Sequence, residues 1–224
     1  MSAEHTPRGD APLSDRLKAA GRAAVAPIVN VLAAAGVTPN SVTVAGLILF
    51  SASSLLIWQR SLLLGAVFLT IGASLDAIDG GLARARGGGT PFGAFLDSTL
   101  DRTGEALVYL GIVAFWLDRT AQPFVPVMLA ALALSGSFLV SYSRARAEAV
   151  GFTASNGLAP RPERLIILIL GLALAGLGYP IALPVAMGLI AILAWVTVAQ
   201  RILNVRQQAA SAALPAPIGQ DKES

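Results

Sequence analysis

The sequence contains no cysteine and one histidine, His5, and only 13% of its 224 residues are charged. The lack of cysteine excludes disulfide bonds, zinc–thiolate sites and thiol nucleophiles, and a single histidine near the start disfavours catalysis by imidazole. Hydrophobic residues make up 55% of the chain, and the mean hydropathy of +0.69 lies far above that of a water-soluble domain. Any chemistry must therefore depend on carboxylates, cations and hydroxyl groups.

Long apolar runs occupy most of the chain between residues 41 and 203. A membrane-spanning helix needs about 20 mostly apolar residues, so this length supplies six spans and leaves little for a separate soluble domain. We therefore predict an all-α, polytopic membrane protein with six transmembrane helices. The predicted spans are 41–58, 62–83, 94–117, 123–143, 164–178 and 180–200.

The segments that flank the spans differ from them in composition. Residues 1–12 are polar and interrupted by proline and glycine, so they are predicted to be a disordered leader rather than a signal peptide. Residues 13–35 mix basic and apolar side chains, which favours an interfacial amphipathic helix on an anionic membrane surface; a solvated charged turn is the alternative. Residues 204–224 are predicted to be a disordered cytoplasmic tail, since they are rich in alanine, proline and glutamine.

Basic residues fall mostly on one side of the predicted spans. Of the 16 lysines and arginines, only Arg60 and Arg119 lie in one set of connecting turns. Because loops rich in lysine and arginine stay in the cytoplasm, the opposite face is predicted to be cytoplasmic. An even number of spans then places both termini on the cytoplasmic side of the plasma membrane, and the active site is predicted on the same side.

Five acidic residues lie within or at the ends of the second and third predicted spans: Asp76, Asp79, Asp97, Asp101 and Glu105. A charged side chain in a membrane costs at least about 2.5–3.5 kcal/mol. Asp76 and Asp79 share one helix face, and Asp97 and Asp101 share another. We expect these four aspartates to converge on one or two divalent ions, Mg²⁺ first and Mn²⁺ or Ca²⁺ next. An inert ion-pair network with neighbouring arginines is the alternative.

Small residues are interleaved with these acids. Gly80 and Ala83 leave a trough in which a flat base or a sugar fits against the backbone, and Arg84 offers a fork for phosphate oxygens. The loop at residues 87–90 has backbone amides and the Thr90 hydroxyl, which are suited to holding a phosphate. A plain turn between helices is the alternative for this loop.

The acids and the small residues together form one spaced motif. It reads Asp76-x2-Asp79-Gly80-x2-Ala83-Arg84-x8-Gly93-x3-Asp97-x3-Asp101. This pattern resembles the signature of the CDP-alcohol phosphotransferases at every fixed position. The preceding segment, Thr-Pro-Asn-Ser-Val-Thr at residues 38–43, resembles the element of the same family that borders the cytidine. The resemblance covers about residues 13–203.

The resemblance implies a six-helix membrane enzyme, usually homodimeric, that moves a phosphatidyl group from CDP-diacylglycerol to an alcohol and releases CMP. It implies that Asp76 and Asp97 bridge two metal ions, Mg²⁺ or Mn²⁺, and that Asp79 completes the first. It also implies that Asp101 helps to hold the second ion and takes the proton from the acceptor hydroxyl. By the same resemblance, the residues that bind CDP-diacylglycerol are Asn40, Ser41, Val42, Thr43, Gly80, Ala83, Arg84 and Thr90.

A second pair of segments concerns the acceptor. Ser-Tyr-Ser-Arg-Ala-Arg-Ala-Glu at residues 141–148 and Arg-Pro-Glu-Arg at residues 161–164 resemble a subgroup of the family, the actinobacterial phosphatidylinositol phosphate synthases. This resemblance implies that Arg144, Arg164 and Arg201 bind the phosphate of the acceptor. Arg144 stands where the subgroup commonly has lysine, and a planar guanidinium does not replace an ammonium equivalently.

Three functions are compatible with these residues. Transfer to inositol 1-phosphate is favoured, the same chemistry with glycerol 3-phosphate is the alternative, and an ion transporter that uses the intramembrane aspartates is a remote third. A transporter would spread its acids across the depth of the membrane, whereas these cluster at one face. The expected partners are CDP-diacylglycerol, an inositol phosphate acceptor, the lipid bilayer and a second copy of the chain, and nucleic acid is not among them.

Overall fold

The structure, a computed structural model, describes residues 25–212, and within that range every regular element is a helix. The helices are α1 (Val25–Ala34), α2 (Pro39–Trp58), α3 (Leu62–Ala85), α4 (Pro91–Arg119), α5 (Phe124–Ala149), α6 (Arg161–Gly176) and α7 (Ala182–Ala212). The predicted leader and most of the predicted interfacial segment lie outside the described residues, as does the end of the predicted tail. The all-α prediction is confirmed for the part that is described.

Four of these helices, α2, α3, α5 and α7, are long and apolar enough to cross a membrane. Of the other two predicted spans, α4 carries several charged side chains, and α6 has only 16 residues. The membrane-protein class therefore follows from length and composition, and the count of six spans stays a prediction.

The prediction of disorder from residue 204 is wrong for residues 204–212, because these residues continue α7. Alanine, glutamine and arginine have good helix propensity. In addition, the side chains of Asn204 and Gln208 hydrogen-bond to the main chain of residue 153. Hydrogen bonds to residue 153 thus stabilise residues 204–212 as helix, although these residues lack the apolar pattern of a membrane span.

The described residues divide into two compact units, the first of which comprises the chain up to Ile48 and Ile71–Asp101. Its apolar cluster is formed by Val29 of α1, Val42 of α2, and Ile78 and Leu82 of α3. Gly81 lets α1 come close to α3, since a Cβ at this position would lie 2.7 Å from the Val29 Cγ2. The first unit is thus a small packed group at the start of α2, the end of α3 and the start of α4.

The second unit comprises Leu49–Thr70 and the described residues from Arg102 onward. In it α7 packs against α5 and α6. Small residues bring its helices together, as is usual where membrane helices meet. A Cβ at Gly111 of α4 would lie 2.5 Å from the Ser54 carbonyl oxygen of α2, and one at Gly176 of α6 would lie 2.6 Å from the backbone nitrogen of Leu63 in α3.

Candidate active site

Two threonine–proline pairs begin the helices of the candidate site. At the start of α2, the Thr38 Oγ1 accepts a hydrogen bond from the Ser41 amide at 3.2 Å. At the start of α4, the Thr90 Oγ1 accepts one from the Gly93 amide at 3.0 Å. Both are N-caps with proline at the first helical position, where its missing N–H has no cost. The Thr90 hydroxyl oxygen is therefore already engaged in capping a helix.

The loop between α3 and α4 contains the hydrogen bonds that close the C-terminal end of α3. The Gly87 amide donates to the Arg84 carbonyl at 3.2 Å and the Gly88 amide to the Ala83 carbonyl at 3.0 Å. Gly87 has a φ of 88°, the left-handed conformation that commonly closes a helix at its C-terminal end. For Gly87 and Gly88 the structure thus favours the plain turn over the predicted phosphate-holding amides.

Asp79 is the most deeply placed of the motif aspartates, with 7% of its surface exposed. Its Oδ2 accepts a hydrogen bond from the Thr43 hydroxyl at 2.9 Å. Thr43 is also buried, and its side chain is held one turn into α2, 3.2 Å from the Pro39 carbonyl oxygen. The capped start of α2 therefore fixes the position of a carboxylate on α3.

Asp79 also lies within electrostatic range of Asp76 and Asp97. Within residues 25–212, however, no three acidic or histidine side chains stand close enough to form a ready-made metal site. Carboxylate oxygens are the ligands that a hard divalent cation prefers, and a cation relieves the repulsion among like charges. The donor chemistry of Asp76, Asp79 and Asp97 therefore fits a divalent metal, and the ligand roles of these three residues and of Asp101 stay predictions.

A cavity of about 420 Å³ opens beside these residues in the first unit. Its wall combines carboxylates, helix starts and the glycine loop. The lining residues are Thr38, Pro39, Asn40, Thr43, Asp79, Gly80, Ala83, Arg86, Gly88, Gly89, Thr90, Gly93, Ala94 and Asp97. Because the first turns of two helices border the cavity, the positive ends of their helix dipoles favour an anion there.

Most of the predicted donor-binding residues line this cavity, but three do not. Ser41 is exposed and its hydroxyl lies 2.6 Å from that of Thr38. Val42 is buried in the apolar cluster with Val29. The Arg84 guanidinium folds back over α3, 3.4 Å from where a Cβ on Gly80 would be. Val42 thus packs the unit rather than facing the cavity.

Arg86 lines the cavity, although the sequence pattern pointed to Arg84. A basic residue two positions beyond the fixed arginine, directly before the glycine run, was the available signal.

Gly93 also has a local reason to be glycine, because a Cβ there would lie 3.1 Å from the Thr90 Oγ1 and 3.3 Å from the Asn40 Oδ1. It therefore allows the starts of α2 and α4 to come together.

The predicted acceptor arginines lie in the second unit. Arg164 has 1% of its surface exposed and Arg201 has 4%. The Arg164 Nη1 donates to the Ala159 carbonyl at 2.8 Å, and its Nη2 lies 3.8 Å from the Glu105 Oε1. Within the described residues, its Nε and Nη2 have no hydrogen-bond partner. An anion bound next to Arg164 could accept hydrogen bonds from these two buried nitrogens.

Arg201 completes a group of three cations. Its Nε donates to the Asn156 carbonyl at 3.0 Å and its Nη1 donates to the Val140 carbonyl. It lies within electrostatic range of both Arg144 and Arg164. Arg144 is exposed and pairs with Glu148 at 2.9 Å. The structure thus brings the three predicted arginines together, with Glu148 and Glu105 beside them.

A family model for CDP-alcohol phosphatidyltransferases matches residues 36–203. The chain belongs to this family. Among curated relatives, archaetidylinositol phosphate synthase of Pyrococcus horikoshii is 38% identical over 182 residues, which are 81% of this chain and 90% of the relative. Phosphatidylinositol phosphate synthase of Corynebacterium glutamicum is 40% identical over 182 residues, 80% of this chain and 82% of the relative.

Solved structures give the same result for the fold of this CDP-alcohol phosphatidyltransferase. Phosphatidylinositol phosphate synthase of Mycobacterium tuberculosis with CDP-DAG bound is 37% identical, with a TM-score of 0.74, and the match covers 80% of this chain and 92% of that one. The same enzyme with manganese and citrate gives a TM-score of 0.77 at 35% identity, covering 88% and 96%. The family predicted from the aspartate motif is therefore confirmed.

Proposed function

We propose that this chain transfers the phosphatidyl group of CDP-diacylglycerol to inositol 1-phosphate, with phosphatidylinositol phosphate and CMP as products. The observation that carries the proposal is the cavity of the first unit, which is bordered by motif aspartates in a member of the CDP-alcohol phosphatidyltransferase family. Relatives named for synthesis of inositol phosphate lipids support the acceptor. A similar structure with CDP-DAG bound supports the donor.

The cavity is suited to the cytidine diphosphate part of the donor. Gly80, Ala83 and Gly93 leave room for a flat base and a sugar close to the backbone. Arg86 and the positive ends of the α2 and α4 helix dipoles supply positive charge for the phosphates. Thr43 and Asn40 line the same wall with polar groups.

The motif aspartates are proposed to hold two divalent ions, Mg²⁺ or Mn²⁺. Asp76, Asp79 and Asp97 would bind them with Asp101, and a solved relative contains manganese. Bound metal of this kind neutralises the charge of a pyrophosphate during transfer. The Thr43 hydroxyl holds Asp79 in place through its hydrogen bond, so one ligand is oriented before any ion arrives.

The transfer itself joins the acceptor oxygen to the phosphorus that carries diacylglycerol. The bond between that phosphorus and the CMP oxygen breaks, and CMP leaves with the electron pair. Asp101 accepts the proton that the acceptor hydroxyl loses, in the role of general base. The group of Arg144, Arg164 and Arg201 binds the phosphate that the acceptor already carries.

In this proposal the protein crosses the plasma membrane six times, with α4 and α6 as the two further spans. Its termini and active site face the cytoplasm, where the loops rich in arginine lie, and it works as a homodimer. The charged side chains of α4 are accounted for if they face the site rather than the lipid. Because the apolar part of α6 is short, the bilayer would thin locally to match its length.

The direct test is CMP release by the purified protein from CDP-diacylglycerol in the presence of Mn²⁺ or Mg²⁺. We expect turnover with inositol 1-phosphate, and little with glycerol 3-phosphate, free inositol or serine. Asp97→Asn is the inactive control, and EDTA should abolish activity until a divalent ion is restored. Turnover with glycerol 3-phosphate and none with inositol 1-phosphate would show that the proposed acceptor is wrong. Full activity in EDTA would contradict the metal proposal.

A further inference from the structure

The loop between α5 and α6, residues 150–160, holds Arg164 and Arg201, the two buried arginines of the group of three cations. We call it the arginine loop. Its Ala159 carbonyl accepts from Arg164 at 2.8 Å, and its Asn156 carbonyl accepts from Arg201 at 3.0 Å. The direction of two guanidinium groups is therefore set by main-chain atoms of one loop.

The C-terminal half of α7 fastens this loop with a row of polar side chains, which we call the polar ladder: Thr197, Gln200, Asn204 and Gln208. At one end, the Thr197 Oγ1 accepts from the Ala159 amide at 3.3 Å. The Gln200 Oε1 accepts from the Leu158 amide at 3.2 Å. These two rungs fix the loop next to the carbonyl that holds Arg164.

The other two rungs hold the beginning of the loop. The Asn204 Nδ2 donates to the Thr153 carbonyl at 3.2 Å and to the Asn156 Oδ1 at 3.0 Å. The Gln208 Oε1 accepts from the Thr153 amide at 3.0 Å, and its Nε2 donates to the Thr153 carbonyl at 2.6 Å. Asn204 thus contacts the residue whose carbonyl holds Arg201.

The contact between the loop and α7 also depends on glycine. Gly157 has a φ of 144°, and a Cβ there would overlap the Thr197 Cγ2. Side chains of this row recur at spacings of three or four residues, so they share one face of α7. The same face carries Arg201, so one helix presents the cation and also holds the loop that orients it.

Three neighbouring cations repel one another, so their arrangement requires a structure that holds them. We propose that Asn204 and Gln208 are positioning residues, which hold the arginine loop so that Arg164 and Arg201 can bind the acceptor phosphate. This inference rests on the proposed function of the arginine group. Asn204 and Gln208 act through the loop and do not touch the acceptor.

The test compares Asn204→Asp and Asn204→Ala with wild type in steady-state kinetics on the full-length protein. Aspartate keeps the shape of asparagine but cannot donate to the Thr153 carbonyl, and alanine removes the group without adding charge. We expect both variants to raise the KM for inositol 1-phosphate about tenfold, the effect of losing one or two hydrogen bonds. The KM for CDP-diacylglycerol should change less than twofold, which is within about 0.4 kcal/mol.

Gln208→Ala should act in the same way, and Gln208→Glu should recover part of the effect because it still accepts from the Thr153 amide. Gln207→Ala is the matched control, since this neighbouring glutamine is exposed and is not a rung of the ladder. The thermal unfolding midpoint in detergent is measured for every variant. A parallel rise in both KM values together with a lower midpoint would show a purely structural role and overturn the inference.

Arg201→Ala separates this inference from the proposed function. If Arg201→Ala leaves the KM for inositol 1-phosphate unchanged, the acceptor site itself is wrongly assigned and the inference falls with it. If Arg201→Ala raises that KM and the Asn204 and Gln208 variants do not, the acceptor site stands and the positioning role is overturned.

Discussion

Single hydroxyl groups and single glycines determine much of the candidate site. Thr38 and Thr90 cap the helices that border the cavity, and Thr43 fixes Asp79. Each of these roles uses a side chain too short to reach far, so the helices must already be in place. Thr43 is therefore as much a part of the site as the aspartate that it orients.

Thr43→Val tests this dependence, because valine keeps the shape of threonine but cannot donate to Asp79. A hydrogen bond to a charged group is worth about 1.5–3 kcal/mol, so the rate of CMP release should fall about ten- to hundredfold. Thr43→Ser keeps the hydroxyl and should retain most of the rate. Equal rates for the two variants, measured at saturating metal, would show that the hydrogen bond does not matter.

Arg86→Gln tests which arginine reaches the donor. Since Arg86 lines the cavity, its loss should raise the KM for CDP-diacylglycerol about ten- to hundredfold and leave the KM for the acceptor unchanged. Arg60→Gln, in the turn between α2 and α3, is the control and should behave like wild type. If only Arg84→Gln raised the donor KM, the cavity would be the wrong place for the phosphates.

At the scale of the helices, close packing of one helix against another depends on glycines at positions where a larger side chain would not fit. Gly111 faces the Ser54 carbonyl of α2, whereas Gly188 of α7 has only the Leu129 Cδ2 nearby, 3.8 Å from an added Cβ. The Ser54 hydroxyl also donates to the Leu107 carbonyl of α4 at 2.5 Å. The α2–α4 contact thus combines a missing side chain with a hydrogen bond between helices.

Gly111→Ala should lower the stability of the protein in detergent by about 1–3 kcal/mol, because a backbone atom cannot move aside for the added methyl group. Gly188→Ala has ordinary contact distances and gains helix propensity, so it should be neutral or slightly stabilising. The thermal unfolding midpoints of both variants measure the difference. Equal midpoints would mean that α2 and α4 do not meet at Gly111.

The positions of the helices were largely predictable because long apolar runs mark them directly. The predicted span 62–83, for example, corresponds to α3 (Leu62–Ala85). The end of α7 was not predictable in this way, because residues 204–212 are stabilised by hydrogen bonds to a distant loop rather than by an apolar face. The burial of Val42 in the apolar cluster was not predictable for a similar reason: a motif position does not say whether its side chain faces the cavity or the cluster.

At the scale of the whole molecule, motif spacing predicted the family, and the comparison with known proteins confirms it. The predicted grouping of arginines could be drawn only from a resemblance, since Arg144, Arg164 and Arg201 lie far apart in the sequence. The hydrogen bonds of Arg164 to the carbonyl group of residue 159, and of Arg201 to those of residues 140 and 156, depend on the folded chain. No local pattern contains that information.

The absence of cysteine allows a direct test of topology, because a single introduced cysteine is the only site for a maleimide label. Gln122 and Ser155 are exposed and lie in connections predicted on opposite sides of the membrane. In intact bacterial cells a membrane-impermeant maleimide should label Gln122→Cys, and it should label Ser155→Cys only after permeabilisation. The reverse pattern would invert the orientation, and labelling of both in intact cells would contradict an odd number of spans between them.

Part of the wall of the cavity in the first unit is formed by glycines, namely Gly80, Gly88, Gly89 and Gly93. If an inhibitor competes for this space by binding the backbone at these glycines, a mutation there can change the wall only by adding a side chain. Any added side chain would also occupy room that the proposed donor needs. Resistance to such an inhibitor would therefore come with a loss of catalytic turnover.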